Sequence, residues 1–481
     1  KVPSTFLLEY PNVNNFEIVM DNISYFDEGD CLLFSTDSKG KKPIKCIIND
    51  DINDNNKFKL KNPFVYVTFP GTYITKLYAF GLNAFGKLGI SQSIKEITTP
   101  KLISQLINHR VTDIKIGDTS TLLLTDDGEI YSAGYGVSAG IDISSEIFKV
   151  PEKFRTSKCI NTEKISYIST YGQSTILCTT DGSLWSIGNN SCSIIGQDFV
   201  NNLNELKALN LKLKSPITSL SIGVNHSLIT TKEGKLYHIG SNDRYQNGES
   251  SMNRSNTPKE ISIKKTDFYV MASAGDSFSA FIIKDKTTGK KKLYTAGWSK
   301  DGRSGLEEKG DNHPLHLFED PKNKKREFNF VSTGETTGAA ISTDGKLYTW
   351  GSNSKGECGH GNYNVINVPT LVKFFDKDYF VKDACAISQA TIVIAENKKT
   401  KKRSLFVKGD NTSSRLGMTF PSNYEIKDTF PIPYKNPFFD DKNPEKIFGG
   451  AKSVIVKCSV EKIEEIRDNF ECVCNNCNNN I

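Results

Sequence analysis

Residues 344–359 read DGKLYTWGSNSKGECG. A turn at Asp344-Gly345 feeds an alternating strand, Leu347, Tyr348, Thr349 and Trp350, which ends on Gly351, and a polar loop punctuated by glycine follows. The stretch recurs, worn but recognisable, as KLYAFGLNAFGKLG, EIYSAGYGVSAG, SLWSIGNNSCSIIG, KLYHIGSNDRYQNG, KLYTAGWSKDGRSG and SLFVKGDNTSSRLG. The strand-ending glycines are Gly81, Gly134, Gly188, Gly240, Gly297, Gly351 and Gly409, at steps of 53, 54, 52, 57, 54 and 58 residues. That period is the length of one four-stranded propeller blade with generous loops, so seven copies predict an all-β fold, a seven-bladed β-propeller.

A second landmark accompanies the first: a strand of the form V-x-x-I-x-x-G, followed by a small or polar residue and then apolar ones. Copies run through Ile114-Gly117, Ile168-Gly172, Leu220-Gly223, Val270-Gly275 and Val331-Gly334, with a degenerate one at Ala384-Ser388 and the last at Ile447-Gly450. The last copy has no strand-ending partner after it, and the first strand-ending copy, Lys76 to Gly81, has no landmark before it. The two halves are expected to complete one blade, which closes the ring without an open sheet edge or a covalent link.

The full pattern, best kept at Leu220-Gly248 (LSIGVNHSLITTKEGKLYHIGSNDRYQNG), resembles the repeat of the regulator of chromosome condensation family over Lys76 to about Cys458. The resemblance implies the shared first-and-last blade. It also implies that His226, the one copy of the repeat's usual histidine, is a buried turn-fixing group; Ser120, Thr175, Phe278, Thr337, Thr391 and Ser453 stand in its place elsewhere.

The expected organisation is therefore a propeller over 73–458, a small β-rich extension over 1–72 and a tail over 459–481. The extension has short β-like pieces (Thr5-Leu8, Phe16-Met20, Leu32-Ser35, Ile44-Ile48, Phe58-Leu60, Phe64-Phe69) separated by turn residues, the pattern of an antiparallel, Ig-like sandwich. With 8 Lys or Arg against 10 Asp or Glu, it is not a basic arm for DNA phosphates. In the tail, Val460, Ile463, Ile466 and Phe470 fall at helical spacing and predict a short helix over Ser459 to Glu471. Cys472, Cys474 and Cys477 follow. Three thiolates without a nearby histidine fall short of a closed zinc site and read as a flexible reduced tail.

Bulk charge is nearly neutral for this size, with 61 basic against 55 acidic residues, so only the distribution of charge points to a partner. Eleven scattered cysteines without a framework spacing, no apolar run of membrane length and no charged-then-apolar leader give the expectation of a cytoplasmic or nuclear chain. The sequence opens at Lys1 rather than at a methionine, so a longer native polypeptide is also an expectation.

Catalytic, cofactor and metal residues are not expected. Gly81 to Lys87 matches the first part of a phosphate-binding loop, but Leu88 stands where a Ser or Thr must reach magnesium and no helix is expected after it. Gly134-Tyr135-Gly136 is too short a match to the dinucleotide fingerprint. The six histidines, His109, His226, His238, His313, His316 and His360, occupy unrelated repeat positions, which speaks against a hydrolytic or lyase propeller.

The distribution of charge is informative. In a meander, alternate turns fall on opposite ends of a blade, so the turns before the strand-ending strands share an end with the connections between blades. Two such turns and one connection are basic: Lys290, Lys291 and Lys292; Lys398, Lys399, Lys401, Lys402 and Arg403; and Lys322, Lys324, Lys325 and Arg326. They predict a positive platform over three neighbouring blades for an acidic partner, whether a protein segment, a phosphorylated ligand, anionic lipid or nucleic-acid backbone. The plainer alternative is that these loops are merely solvated. The expected function is a non-catalytic protein-interaction propeller, a scaffold or adaptor.

The family resemblance implies a second function, guanine-nucleotide exchange on Ran or another small GTPase, in which founding members insert a wedge from the loop after the third strand-ending glycine. Here that loop, Gly188 to Gly196, has the same length as the undecorated loops Gly81-Gly89 and Gly351-Gly359, so no wedge is expected.

Overall fold

The computed structural model describes residues 76–103, 110–136, 148–153, 164–197, 202–262, 267–306, 312–419 and 429–459, and the short strands 4–9, 16–20, 31–35, 43–48, 57–60, 64–69 and 470–473. Its larger compact unit takes in 78–103 and 111–458 and carries seven four-stranded antiparallel sheets. They are numbered here as blades 1 to 7 by the glycine that ends their third strand, from Gly81 to Gly409. The innermost strands of blades 2 to 7 are Val111–Ile116, Ile165–Tyr171, Ile217–Ile222, Asp267–Ala274, Phe328–Thr333 and Tyr379–Ile387.

Blade 1 is the composite that the orphaned landmarks predict. Its strand order is Pro444–Gly450, Ser453–Cys458, Lys76–Leu82, Glu96–Leu102. At the seam the Leu82 amide donates to the Lys452 carbonyl at 3.0 Å and the Ser453 hydroxyl donates to the Leu82 carbonyl at 2.7 Å. Late and early chain are thus held by ordinary ladder bonding.

Second strands such as Ser120–Thr125, Ser174–Thr179, His226–Thr231 and Thr337–Ser342 are buried at every position. Alternation disappears there because both faces of the strand are covered, one by each neighbouring blade. The apolar clusters accordingly run across blade boundaries: Ala280, Ile282 and Leu293 of blade 5 pack with Phe328, Val331 and Trp350 of blade 6. Trp350 is wholly buried and its indole N–H donates to the Arg303 carbonyl of blade 5 at 3.0 Å.

The landmark glycines have a steric origin. The turns after the innermost strands converge on the axis, and a Cβ added at Gly223 would lie 2.4 Å from the Gly275 carbonyl oxygen. At Gly334 it would lie 2.8 Å from that of Ile387, and at Gly450 1.9 Å from that of Ile116. These three turns press on the next blade's backbone, and there only glycine leaves room, whereas a Cβ at Gly172 would meet nothing nearer than 3.8 Å. Gly345 shows the same logic at the opposite end: its φ of +74° completes the Asp-Gly turn, and a Cβ would meet the Phe380 ring of blade 7 at 2.5 Å.

The smaller unit takes in 1–77, 104–110 and 459–481. It contains a sheet ordered Ser4–Glu9, Phe64–Phe69, Cys31–Ser35, Pro43–Ile48, and a second ordered Phe470–Val473, Phe16–Met20, Lys57–Leu60. The six β-like pieces expected in 1–72 coincide with these strands to within a residue or so at each end. The helix expected over Ser459 to Glu471 lies mostly outside the described residues, but its last two positions, Phe470 and Glu471, begin a strand paired antiparallel with Phe16–Met20. Cys474 and Cys477 lie outside the described residues.

Candidate functional site: a basic loop cluster

The three basic segments lie on one end of the propeller, joined by an unbroken series of contacts. Lys292 Nζ, at the foot of the blade 5 turn, donates to the carbonyls of Lys324 and Arg326 in the blade 5 to blade 6 connection, at 2.5 and 3.0 Å. Arg326 reaches Asp344 in the turn of blade 6 at 2.6 Å. Lys346, two residues on, pairs with Asp376 at 2.7 Å, and Lys398 of the blade 7 turn donates to the carbonyls of Asp376 and Lys377 at 2.8 and 3.2 Å.

Side-chain caps fix both hairpin tips. Asp285 Oδ1 accepts from the amides of Thr287 and Thr288 at 2.9 and 2.6 Å, and Asn397 Oδ1 from those of Lys399 and Thr400, each at 3.0 Å. These are the local turns that Asp and Asn favour, and they hold the lysine-bearing loops in defined shapes.

Not every predicted cation faces outward. Arg326 sits between Asp320 and Asp344, at 2.6 Å from each; burial works against its charge, but the two carboxylates outweigh it and raise its affinity for the proton. Burial lowers the Lys292 ammonium, which bonds loop carbonyls. Arg403 is paired with Glu396 at 3.5 Å, and Lys398 caps the short helix Lys373–Asp376. Lys291 is half-buried. Lys290, Lys322, Lys324, Lys325, Lys399, Lys401 and Lys402 are exposed and make no ion pair among the described residues. The run of basic residues overstated the available charge because acidic residues neutralise part of it: Asp320 in the same connection, Glu396 opposite Arg403 in the same hairpin, and Asp344 from the blade 6 turn, where it is part of the repeat's own Asp-Gly.

Other singled-out residues are structural. Lys87, in the rejected phosphate-loop match, is buried and donates to the carbonyls of Gly117 and Asp118, each at 3.1 Å. His226 is wholly buried, bonded through Nδ1 to Asn225 at 3.0 Å and through Nε2 to Ser279 of blade 5 at 2.7 Å, so it fixes the turn and ties two blades. Burial pushes its pKa well down and takes His238 and His360 to about 4, which keeps all three neutral near pH 7. Among the described residues no group of three or more His, Cys, Asp or Glu is placed to hold a metal ion.

Lys408 carries a stability prediction. It is wholly buried between blades 6 and 7, donates to the Cys358 carbonyl at 2.7 Å, and burial lowers its pKa from 10.5 to about 7. The folded chain then binds fewer protons than the unfolded chain between those values, so this residue makes stability rise with pH across that window. Lys408→Met is expected to gain about 1 kcal/mol or more at pH 7, an advantage that shrinks towards pH 10. Thermal melts of both proteins across that range check it; curves that stay parallel would contradict the assignment.

The comparisons with known proteins agree with this architecture. Two models of the regulator of chromosome condensation (RCC1) repeat match, one at residues 76–124 and 344–393, the other at 217–246 and 329–357. The ultraviolet-B receptor UVR8 of Arabidopsis thaliana is 25% identical over 71% of this chain and 74% of its own length. The X-linked retinitis pigmentosa GTPase regulator of Canis lupus familiaris is 32% identical over 32% of the chain, and the E3 ubiquitin-protein ligase HERC2 of Homo sapiens 24% over 67%. The matches span only 15% and 7% of those two proteins. Among solved structures, yeast RCC1 (Prp20) bound to Kap60 superposes with a TM-score of 0.67 at 18% identity, covering 82% of this chain and 91% of that one. Human WBSCR16 gives 0.65 at 15% identity over 81% of this chain and all of that one. At these identities the likeness to solved structures speaks for the fold alone. At the matched residues the chain thus carries regulator of chromosome condensation (RCC1) repeats, set in a seven-bladed propeller whose first blade joins early and late segments.

Proposed function

We propose that this chain is a non-catalytic interaction propeller that captures an acidic protein segment on the lysine cluster of blades 5 to 7. The observation that carries the reading is the linked series from Lys292 to Lys398, which brings three loops together and leaves seven exposed lysines around them. Lysines on rigid tips act as point charges that favour an anionic partner without a fixed bidentate geometry, so binding should weaken steeply with salt. The test replaces Lys290, Lys322, Lys324, Lys325, Lys399, Lys401 and Lys402 with Ser and titrates a fluorescent poly-glutamate peptide at about 50 mM and about 300 mM salt. The intact chain is expected to bind about tenfold more tightly at low salt and to lose that gain in the variant. Equal binding by both proteins would remove the proposal, and preference for duplex DNA or anionic vesicles over the peptide would replace the partner class.

The exchange reading ranks second. Prp20p is described as having binding properties towards Gsp1p and histones, and the fold likeness supports asking the question of this chain. Against it, the third strand, Ser183–Asn189, runs into a single 3-10 turn, Ser191–Ser193, within the undecorated Gly188 to Gly196 loop. Release of a fluorescent guanine nucleotide from candidate GTPases, with and without the protein, separates the two readings.

A further inference from the structure

The axis of the propeller is a cavity of about 330 Å³ lined by the innermost strands of all seven blades, at the lower end of the range for small-molecule sites, about 300 to 1,000 Å³. Its wall is divided. Blades 7, 1 and 2 contribute a charged arc of two ion pairs, Lys446 with Asp383 and Lys115 with Asp113, each at 3.3 Å. Blades 3 to 6 contribute hydroxyls, and blade 6 adds the carboxylate of Glu335, which accepts from the Ser388 hydroxyl at 3.0 Å. Ser169 Oγ accepts the Ile222 amide at 3.2 Å and Ser221 Oγ accepts the Ala274 amide at 3.0 Å. The rings of Tyr167 and Phe330 line the cavity on either side of the charged arc, and Lys446 lies over Phe330 at 5.3 Å.

We propose that this channel binds a small, neutral, hydroxyl-rich ring, a cyclitol or a monosaccharide. Charge selects against a small anion: Asp113, Asp383 and Glu335 outnumber Lys115 and Lys446 on the wall, while each lysine is already paired with a carboxylate. The pairs are longer than tight charge-assisted bonds of about 2.7 to 2.9 Å, which leaves ammonium donors and carboxylate lone pairs able to engage a third group. The two serine oxygens are each fixed by an amide of the next blade, so their O–H protons remain to be donated. A wall that presents donors and acceptors side by side, with flat rings beside them, matches a guest whose rim is hydroxyl and whose faces are C–H. An apolar guest would strip water from the ion pairs and hydroxyls without replacing its bonds.

The test uses the full chain, with myo-inositol and D-glucose as probes and sodium sulfate as the ionic comparison, read by calorimetry and by thermal shift. At least one polyol is expected to saturate with a dissociation constant in about the millimolar range or tighter. Asp113→Asn/Lys115→Gln leaves the wall's net charge unchanged and alters side chains that are about one-third exposed; it is expected to weaken binding about tenfold. Ser169→Ala, a smaller change in the other arc, is expected to weaken it less, and serves if the double variant does not fold. The proposal is overturned by non-saturating titrations with both polyols, by affinity unchanged in the variants, or by saturation with sulfate alone.

Discussion

Gly450→Val is expected to lose roughly 3 kcal/mol of stability, at the upper end of overpacking costs, whereas Gly289→Ala should lose about 1 kcal/mol or less. The contrast separates close approach from backbone conformation. At Gly450 the added carbon would sit 1.9 Å from a backbone oxygen of blade 2, and that oxygen belongs to the innermost strand Val111–Ile116. It cannot swing aside as a side-chain end would, so blade 1 must move off blade 2. At Gly289 the φ is +72° and nothing lies within 4 Å, so the cost is that of a left-handed residue alone. Blade 1 joins an early and a late segment of the chain, so the loss at Gly450 should appear as a lower urea midpoint with an altered slope, as the seam opens before the ring melts. Equal midpoints for the two variants would show that the axial turns tolerate a side chain, and the steric account of the landmark glycine would fall.

Much of this architecture was legible because propeller blades repeat the same demands. The strand-ending glycines, the axial glycines and the orphaned half-repeats are consequences of one backbone geometry imposed seven times, so even worn copies kept the residues that sterics require. Blade 7 shows the limit. Ile387 stands in register with the axial glycine, paired with Ala390 as Gly450 is with Ser453, and the turn still docks, with the next amide, of Ser388, donating to the Ala451 carbonyl at 3.2 Å. Charge was less legible than sterics. The basic segments could be placed on one end from strand alternation, but pairing of Arg326 with Asp344 depends on which turns become neighbours. The axial cavity was invisible for a related reason. Its wall takes a few residues from each of seven distant segments, and no single segment looks like a site.

The cation six residues after the strand-ending glycine was also missed, and Arg415→Met should reveal what it does, with an expected cost of about 3 to 5 kcal/mol. Arg415 is almost wholly buried. It pairs with Asp410 at 2.9 Å, bonds the Thr412 carbonyl through Nε at 2.9 Å, and donates through Nη1 to the Ser388 carbonyl of the axial turn. Arg303 occupies the same repeat position in blade 5 and makes the same pattern, with Nε on the Lys300 carbonyl at 3.1 Å and Nη1 on the Asp276 carbonyl and carboxylate at 3.2 and 2.8 Å. In both blades one guanidinium staples the glycine-punctuated loop to the turn at the axis. Removing it in blade 7 strands the Asp410 carboxylate, which is 2% exposed, and a buried carbonyl. Asp410→Asn/Arg415→Met should recover about 1 kcal/mol or more of the single-variant loss, because the stranded charge is gone while the missing staple remains. A double-mutant cycle by urea denaturation measures this directly; additive losses from the two substitutions would mean that the pair contributes no coupling and that the loop is held by its backbone alone.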